Sequence, residues 1–325
     1  MVGESVLRSR QVDMIWATCH PTSSLWAGDA ISRRNDLPWV ADIRDSLALK
    51  ERSGYYKGLP ARARTRRILP RAAAVVEVTP EHAALDARWL GRSCVTITSG
   101  FDHRQWEHVI PIADRAKQPR LDVLCAGMLY PGYRTLGPAL AGISRLRAAC
   151  PGARVRLVYY GRSSDIVRED ATRFQLEDIT ECRGFIPQDE LRAQMASADV
   201  LLLPTNQAGH SGVPGGKFYE YLAARRPILA VPGEDRFVTS VLKDTGAGIG
   251  ATSPDDVARV LQRWLKEWNR TGKIAYTGRE DAVNQYSIRE SARRLAAVLD
   301  EALDDHVTDG RLLHAANVAN TNTAA

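Results

Sequence analysis

Residues 198–232 read ADVLLLPTNQAGHSGVPGGKFYEYLAARRPILAVP. The run Val200–Leu203 is apolar and bounded by Pro204, the pattern of a strand covered on both faces of a parallel sheet. A loop follows over residues 205–216, dense in glycine and polar residues, and a helix opens near Gly215. That helix, residues 217–225, presents Phe218, Tyr221 and Leu222 on one face and stops before Pro227. Residues 228–231 restore a strand. The unit is strand, glycine loop, helix, strand, which places the chain in the α/β class.

A unit of this kind favours an anion. Glycines allow close backbone approach, and free amides at a helix N-terminus carry partial positive charge, so phosphate suits the place. Lys217 and Glu220 lie one helical turn apart on roughly the same side. Lys217 could neutralise a phosphate while Glu220 accepts hydrogen bonds from a ribose diol. A glycine-rich turn carrying a surface Lys/Glu pair reads equally well from this segment alone. A Walker A loop does not fit, because Ser211 occupies its first glycine position and Phe218 its hydroxyl position.

The 325 residues leave room for two domains, and 44% hydrophobic with 25% charged is an ordinary globular balance. The longest apolar runs are strand-length and the N-terminus lacks a signal-peptide core, so a cytoplasmic protein is expected. Cys19, Cys94, Cys125, Cys150 and Cys182 lie far apart with no Cys-x-x-Cys, which suggests buried thiols rather than a zinc site or disulfide framework. The net charge of +6 favours anionic partners. Much of it sits on Lys57, Arg62, Arg64, Arg66, Arg67 and Arg71, interleaved with Leu59, Ile68 and Leu69 in an expected helix. A solvated basic face is the preferred reading; peripheral contact with an anionic membrane at its inner face is the alternative. No aromatic-plus-basic motif accompanies the patch, so nucleic acid is not an expected partner.

Read in order, strands are expected at 12–18, 39–44, 74–79 and 95–99, with helices at 23–34, over the basic stretch and at 80–90. Polar residues and two prolines then interrupt the rhythm. A second series places strands at 121–127, 155–161, 179–183, 200–203, 228–231 and 247–251. Its helices fall at 134–149, 163–174, 187–196, 217–225, 235–243 and 254–268. A final amphipathic helix starts near Ile288. Alternation of this kind implies βαβ units and parallel sheets. The expected division is an N-terminal domain at 1–105, a linker at 106–120, a C-terminal domain at 121–275, a C-terminal helix within 276–305 and a disordered tail at 306–325.

Seven pieces carry a family resemblance. They are VDMIWATCHPTSSLWAG (12–28), LPWVADIRD (37–45), AAAVVEVTP (72–80), VTITSGFD (95–102), VLCAGMLYPGYR (123–134), ELRAQMASADVLLLP (190–204) and VPGGKFYEYLAARRPILAVP (213–232). In this order the chain resembles the retaining GT-B glycosyltransferases of family 4, the glycosyl transferases group 1 proteins, many of which serve polysaccharide biosynthesis. The resemblance implies two Rossmann-like doubly wound domains facing a cleft. It also implies a nucleoside-diphosphate-sugar donor held by the C-terminal domain, a glycan, lipid or small-molecule acceptor, retention at the anomeric carbon, and no metal or other cofactor.

Carried over position by position, Glu220 matches the ribose-binding glutamate. Gly127, Lys217 and the amides of Gly215 and Gly216 fall where the donor diphosphate is held. Arg134 matches the basic residue that neutralises the departing phosphate, and His20 a histidine near the sugar and acceptor; a capping residue ahead of Pro21 is the plainer reading of His20. Asp42, Arg44 and Asp45 face the cleft by analogy, or form structural salt bridges. The chain departs from the family at Gly212, where many members carry a second glutamate, and at Met128, where many carry arginine. It also begins at what resembles a middle strand, so an incomplete, N-terminally truncated first domain is expected. Two rival functions stay open: a non-catalytic nucleotide-sugar-binding remnant or partner subunit, and a GT-B sugar-nucleotide epimerase.

Overall fold

A computed structural model describes residues 10–52, 59–111, 120–206 and 213–322. The chain forms two compact units, one comprising the residues up to Thr98 together with those from Ser291 onward, the other Ser99–Glu290.

In the first unit the chain runs β1 (Ile15–Cys19), α1 (Ser23–Asn35), β2 (Trp39–Ile43), α2 (Leu47–Arg52), α3 (Leu59–Ile68), β3 (Ala74–Glu77), α4 (Pro80–Leu90) and β4 (Val95–Thr96). The strands are parallel in the order β1-β2-β3-β4, with Thr18 beside Asp42 and Ile43 beside Glu77. Alternation along β2 explains how the sheet is covered. Trp39, Ala41 and Ile43 enter one core with Leu25, Leu69 and Val75. Val40 enters another with Val76, Ile97 and Ala302, against which Leu295, Val298 and Leu299 pack. The final helix, Ile288–Asn322, therefore covers the second face of this sheet. It also runs on into the tail expected to be disordered, as far as Asn322.

On the basic stretch, the Arg64 guanidinium lies 4.6 Å over the Trp26 ring, and Arg71 is paired with Asp29 at 2.8 Å. Arg66 and Arg67 are exposed. Lys57 lies outside the described residues. Among the described residues, no helix is long and apolar enough to cross a membrane.

The second unit runs β5 (Leu121–Ala126), α5 (Gly137–Ala149), β6 (Val155–Tyr160), α6 (Ser164–Arg173), β7 (Thr180–Cys182), α7 (Gln188–Ser197), β8 (Val200–Pro204), α8 (Gly216–Ala223), β9 (Ile228–Val231), α9 (Arg236–Thr245), β10 (Gly248–Gly250), α10 (Pro254–Thr271) and α11 (Glu280–Asn284). Its parallel sheet has the order β10-β9-β8-β5-β6-β7. On β5, Leu121, Val123 and Cys125 enter one core with Leu140, Leu202 and Trp264, while Leu124 and Ala126 enter the other with Leu201, Phe218 and Tyr221. The sheet grows in one direction from β5 and in the other from β8, and such a reversal opens a crevice at the carboxyl ends of those two strands.

Phe101, which the expected division assigns to the N-terminal domain, falls in the second unit. Phe101 is buried in the second unit's core and exchanges backbone hydrogen bonds with Tyr286 and Ile288 at 3.1 and 2.8 Å. Its apolar ring, rather than the surrounding polarity, decides its place. Residues 112–119 of the expected linker lie outside the described residues.

Gly142 marks the closest approach of α5 and α10. A Cβ built there would stand 2.4 Å from Val257 Cβ and 2.8 Å from Pro254 O. Helix propensity favours alanine over glycine by about 1 kcal/mol, but overpacking costs about 1–3 kcal/mol. Gly142→Ala is therefore expected to lower stability, read as a shifted denaturant midpoint with an unchanged slope; a stabilised variant would mean that the two helices separate freely.

Candidate functional site

The second unit's crevice is built from the end of β5. The Ala126 N–H donates to Tyr221 Oη at 2.7 Å, and Tyr159 Oη donates to Gly127 O at 2.6 Å. Gly127 has φ +122°, a conformation that needs glycine, so the chain turns sharply there. In the loop beyond, Tyr130 and Arg134 exchange two backbone hydrogen bonds of 2.8 Å. Arg134 thus belongs to this loop and not to the helix expected from residue 134. That helix begins at Gly137 with Pro138 in its first turn, where a missing N–H costs nothing.

The Arg134 guanidinium donates through Nε and Nη2 to Asn206 Oδ1, at 3.2 and 2.8 Å. Its Nη1 lies 3.3 Å from where a Gly215 Cβ would stand. Gly215 is therefore small where arginine passes the N-terminus of α8. A Cβ on Gly216 would meet nothing within 4 Å, so that turn faces open space. The first amides of a helix lack intrahelical acceptors and are available to an anion.

Lys217 and Glu220, one turn apart on α8, form an ion pair with Nζ 2.6 Å from Oε2. Gln188, the first residue of α7, donates through Nε2 to both Glu220 carboxylate oxygens at 2.8 Å, and Lys217 Nζ reaches Gln188 Oε1 at 3.3 Å. Two cavities meet at Gly127, Met128 and Lys217. One, of about 200 Å³, is bounded by Arg134, Thr205, Gly215 and Gly216; the other, of about 260 Å³, by Gly161, Phe185, Ile186 and Gln188. Together they have the scale of a small-molecule site. Met128, half exposed at 51%, borders both. Gly212 lies outside the described residues.

The structure thus gathers Gly127, Arg134, Gly215, Gly216, Lys217 and Glu220 at one end of one sheet. Gln188 and Asn206 escaped sequence reasoning. Neither has a signature in spacing, since each reaches its partner across more than 25 residues of chain.

His20 belongs to the first unit, at the carboxyl end of β1. Its Nε2 lies 3.7 Å from Asp45 Oδ2 and its Nδ1 3.3 Å from Cys19 Sγ. Asp42 accepts from Thr18 Oγ1 at 3.2 Å and from Arg44 Nη1 at 3.4 Å. Burial pushes its pKa up, against the pull of Arg44 and Thr18. Deeper in the unit, Glu77 is fully buried and neither carboxyl oxygen has a hydrogen-bond partner among the described residues. Burial first, then the carboxylates of Asp86, Asp42 and Asp45, push its pKa up to about 11. Burial lowers the His82 pKa. Among the described residues, no three His, Cys, Asp or Glu side chains are grouped to hold a metal ion.

Comparison with known proteins bears on the fold and on part of the sequence. The fold is shared with the Anabaena protein HepE in complex with UDP, at TM-score 0.67 and 16% identity, covering 92% of this chain and 81% of that one. It is shared too with sucrose-phosphate synthase from Thermosynechococcus elongatus, at TM-score 0.65 and 15% identity, covering 93% and 77%. Both are of the GT-B type, and the two parallel α/β sheets described above match them in kind. In sequence, the chain is 30% identical over 186 residues to a GDP-mannose-dependent alpha-(1-6)-phosphatidylinositol monomannoside mannosyltransferase of Mycobacterium tuberculosis, covering 55% of this chain and 47% of that protein. The chain spans less than half the length of the curated relatives it matches. Residues 120–267, which hold both cavities and every candidate donor residue, match the family of glycosyl transferases group 1. Over that segment, the chain is similar to the glycosyl transferases group 1.

Proposed function

We propose that the chain is a glycosyltransferase that moves a sugar from a nucleoside-diphosphate donor to a glycan, lipid or small-molecule acceptor with retention. The observation that carries this reading is the convergence of Arg134, Lys217 and the α8 N-terminus on the cavity at the β5/β8 switch point. Two similar proteins, one GDP-mannose-dependent and one in complex with UDP, support a nucleotide-linked donor.

In this reading the diphosphate lies against the amides of Gly215 and Gly216, and the nucleoside occupies the cavity beside Gln188. Lys217 exchanges its contact with Glu220 for one with phosphate, leaving the Glu220 carboxylate, still held by Gln188, to accept from the ribose. Cleavage of the glycosyl phosphate bond leaves negative charge on the diphosphate. Arg134 and Lys217 stabilise that charge as it develops, which accelerates the step rather than only tightening binding. His20 and Asp45 serve the acceptor side. The enzyme works in the cytoplasm, with the exposed Arg66 and Arg67 available to an anionic membrane surface.

Calorimetry with UDP, GDP and ADP is the test. One nucleoside diphosphate should bind selectively, and Glu220→Ala should weaken it by about 1–3 kcal/mol, the cost of an unpaired buried polar group. Unchanged affinity would remove Glu220 from the site. The exposed thioether of Met128, where many members carry a cation, favours a second reading as a non-catalytic binding subunit. Tight nucleotide binding with no transfer to any acceptor would select it, and donor conversion without acceptor would select an epimerase.

A further inference from the structure

We infer that Asn206 is a positioning residue that aims the Arg134 guanidinium at the donor diphosphate without cancelling its charge; the inference rests on the donor reading above. Asn206 is the second residue beyond β8 and is 4% exposed. Its neighbour Thr205 is fixed by backbone N–H donation to Val231 O at 2.9 Å and by its hydroxyl donating to Pro232 O. Asn206 therefore stands on the rigid end of a central strand, the kind of support from which a side chain can hold another in place.

The hydrogen bonds assign the edges of the guanidinium. Nε and Nη2 are both engaged by Asn206 Oδ1. Nη1 remains on the side of Gly215 and the α8 N-terminus, where the anion is proposed to sit. A rotation that released Nη1 from this direction would break both bonds to Asn206.

The other end of the amide shows why charge matters here. Asn206 Nδ2 is buried and has no hydrogen-bond partner among the described residues. Burying a donor without an acceptor is unfavourable. An aspartate in the same place would have no orphaned N–H and would bind the guanidinium more strongly through a charge-assisted pair. It would also neutralise the cation that the phosphate needs. A neutral acceptor whose N–H has no partner among the described residues is thus a poor choice for stability and a suitable one for holding arginine while leaving its charge available.

The test compares Asn206→Asp, Asn206→Ala and Arg134→Ala. Asn206→Asp should keep or raise the melting temperature, leave affinity for the free nucleoside unchanged, and lower affinity for the nucleoside diphosphate about tenfold or more, with a further loss in kcat. Asn206→Ala should lower diphosphate affinity in the same selective way. In an Arg134→Ala background, Asn206→Ala should have no further effect on diphosphate affinity. Undiminished diphosphate affinity and turnover in a folded Asn206→Asp protein would overturn the inference, leaving Asn206 a structural tie; so would an Asn206→Ala effect that persists without Arg134. A wild-type protein that binds no nucleoside diphosphate would overturn the donor reading itself, and the inference with it.

Discussion

Lys217→Ala is expected to reduce turnover by about 10²–10³-fold, the usual loss when one preorganised group facing developing negative charge is removed. Affinity for the free nucleoside should barely change. The two expectations differ because Gln188 holds the Glu220 carboxylate by two contacts of 2.8 Å that do not involve Lys217, so the ribose acceptor stays in place. Folding stability should also be nearly unaffected. The Lys217–Glu220 pair is about one-quarter exposed on each side, and partly solvated ion pairs contribute little, about 0–1 kcal/mol. The informative comparison is kcat against nucleoside affinity: equal losses for nucleoside and nucleoside diphosphate would remove Lys217 from the phosphate.

Glu77→Gln is expected to stabilise the protein at neutral pH and to flatten its pH dependence. Glu77 has a folded pKa of about 11 against an ordinary value of 4.5, so the native state keeps a proton that the unfolded chain releases. Wherever the native state binds more protons, stability falls as pH rises. The Glu77 contribution is thus complete below pH 4.5 and declines as pH climbs toward 11. At pH 7 the decline amounts to about 3 kcal/mol, taking 1.36 kcal/mol per unit of pH. Glutamine resembles the neutral acid in shape and has no proton to lose, so it avoids this decline. Denaturant titrations from pH 5 to pH 9 should show the wild type losing stability faster than the variant. Parallel curves would mean that Glu77 is ionised in the folded protein.

The carboxylates around Glu77 also show where local pattern stops. The short helix α2 was not expected from sequence. Its N-terminal amides at Leu47 and Ala48 donate to the Asp86 carboxylate at 2.8 and 2.9 Å, and Ser46 Oγ donates to the same group at 2.7 Å. The cap comes from a residue about forty positions away, which no window along the chain contains. Helix α11, five residues long, was missed in the same way; Arg225 on the turn after α8 reaches its Glu280 and Asn284. By contrast, α4 and β9 have the bounds expected at 80–90 and 228–231, because Pro80, Gly91 and Pro227 set them locally.

The sequence by itself determined the alternation of strands and helices, the parallel sheets, and the glycine loop before α8 together with its Lys217/Glu220 spacing. These follow from short-range physics: apolar periodicity, helix caps, and the backbone limits of proline and glycine. Tertiary structure alone decided that Phe101 packs with the second unit, that the final helix covers the first sheet, and that Arg134 is held in a loop. It alone brought Gln188 to Glu220 and Asn206 to Arg134. Such contacts arise where strand order folds distant segments to the same sheet end, and the chemistry of a side chain gives its preference for a partner, not the position of the residue that supplies it.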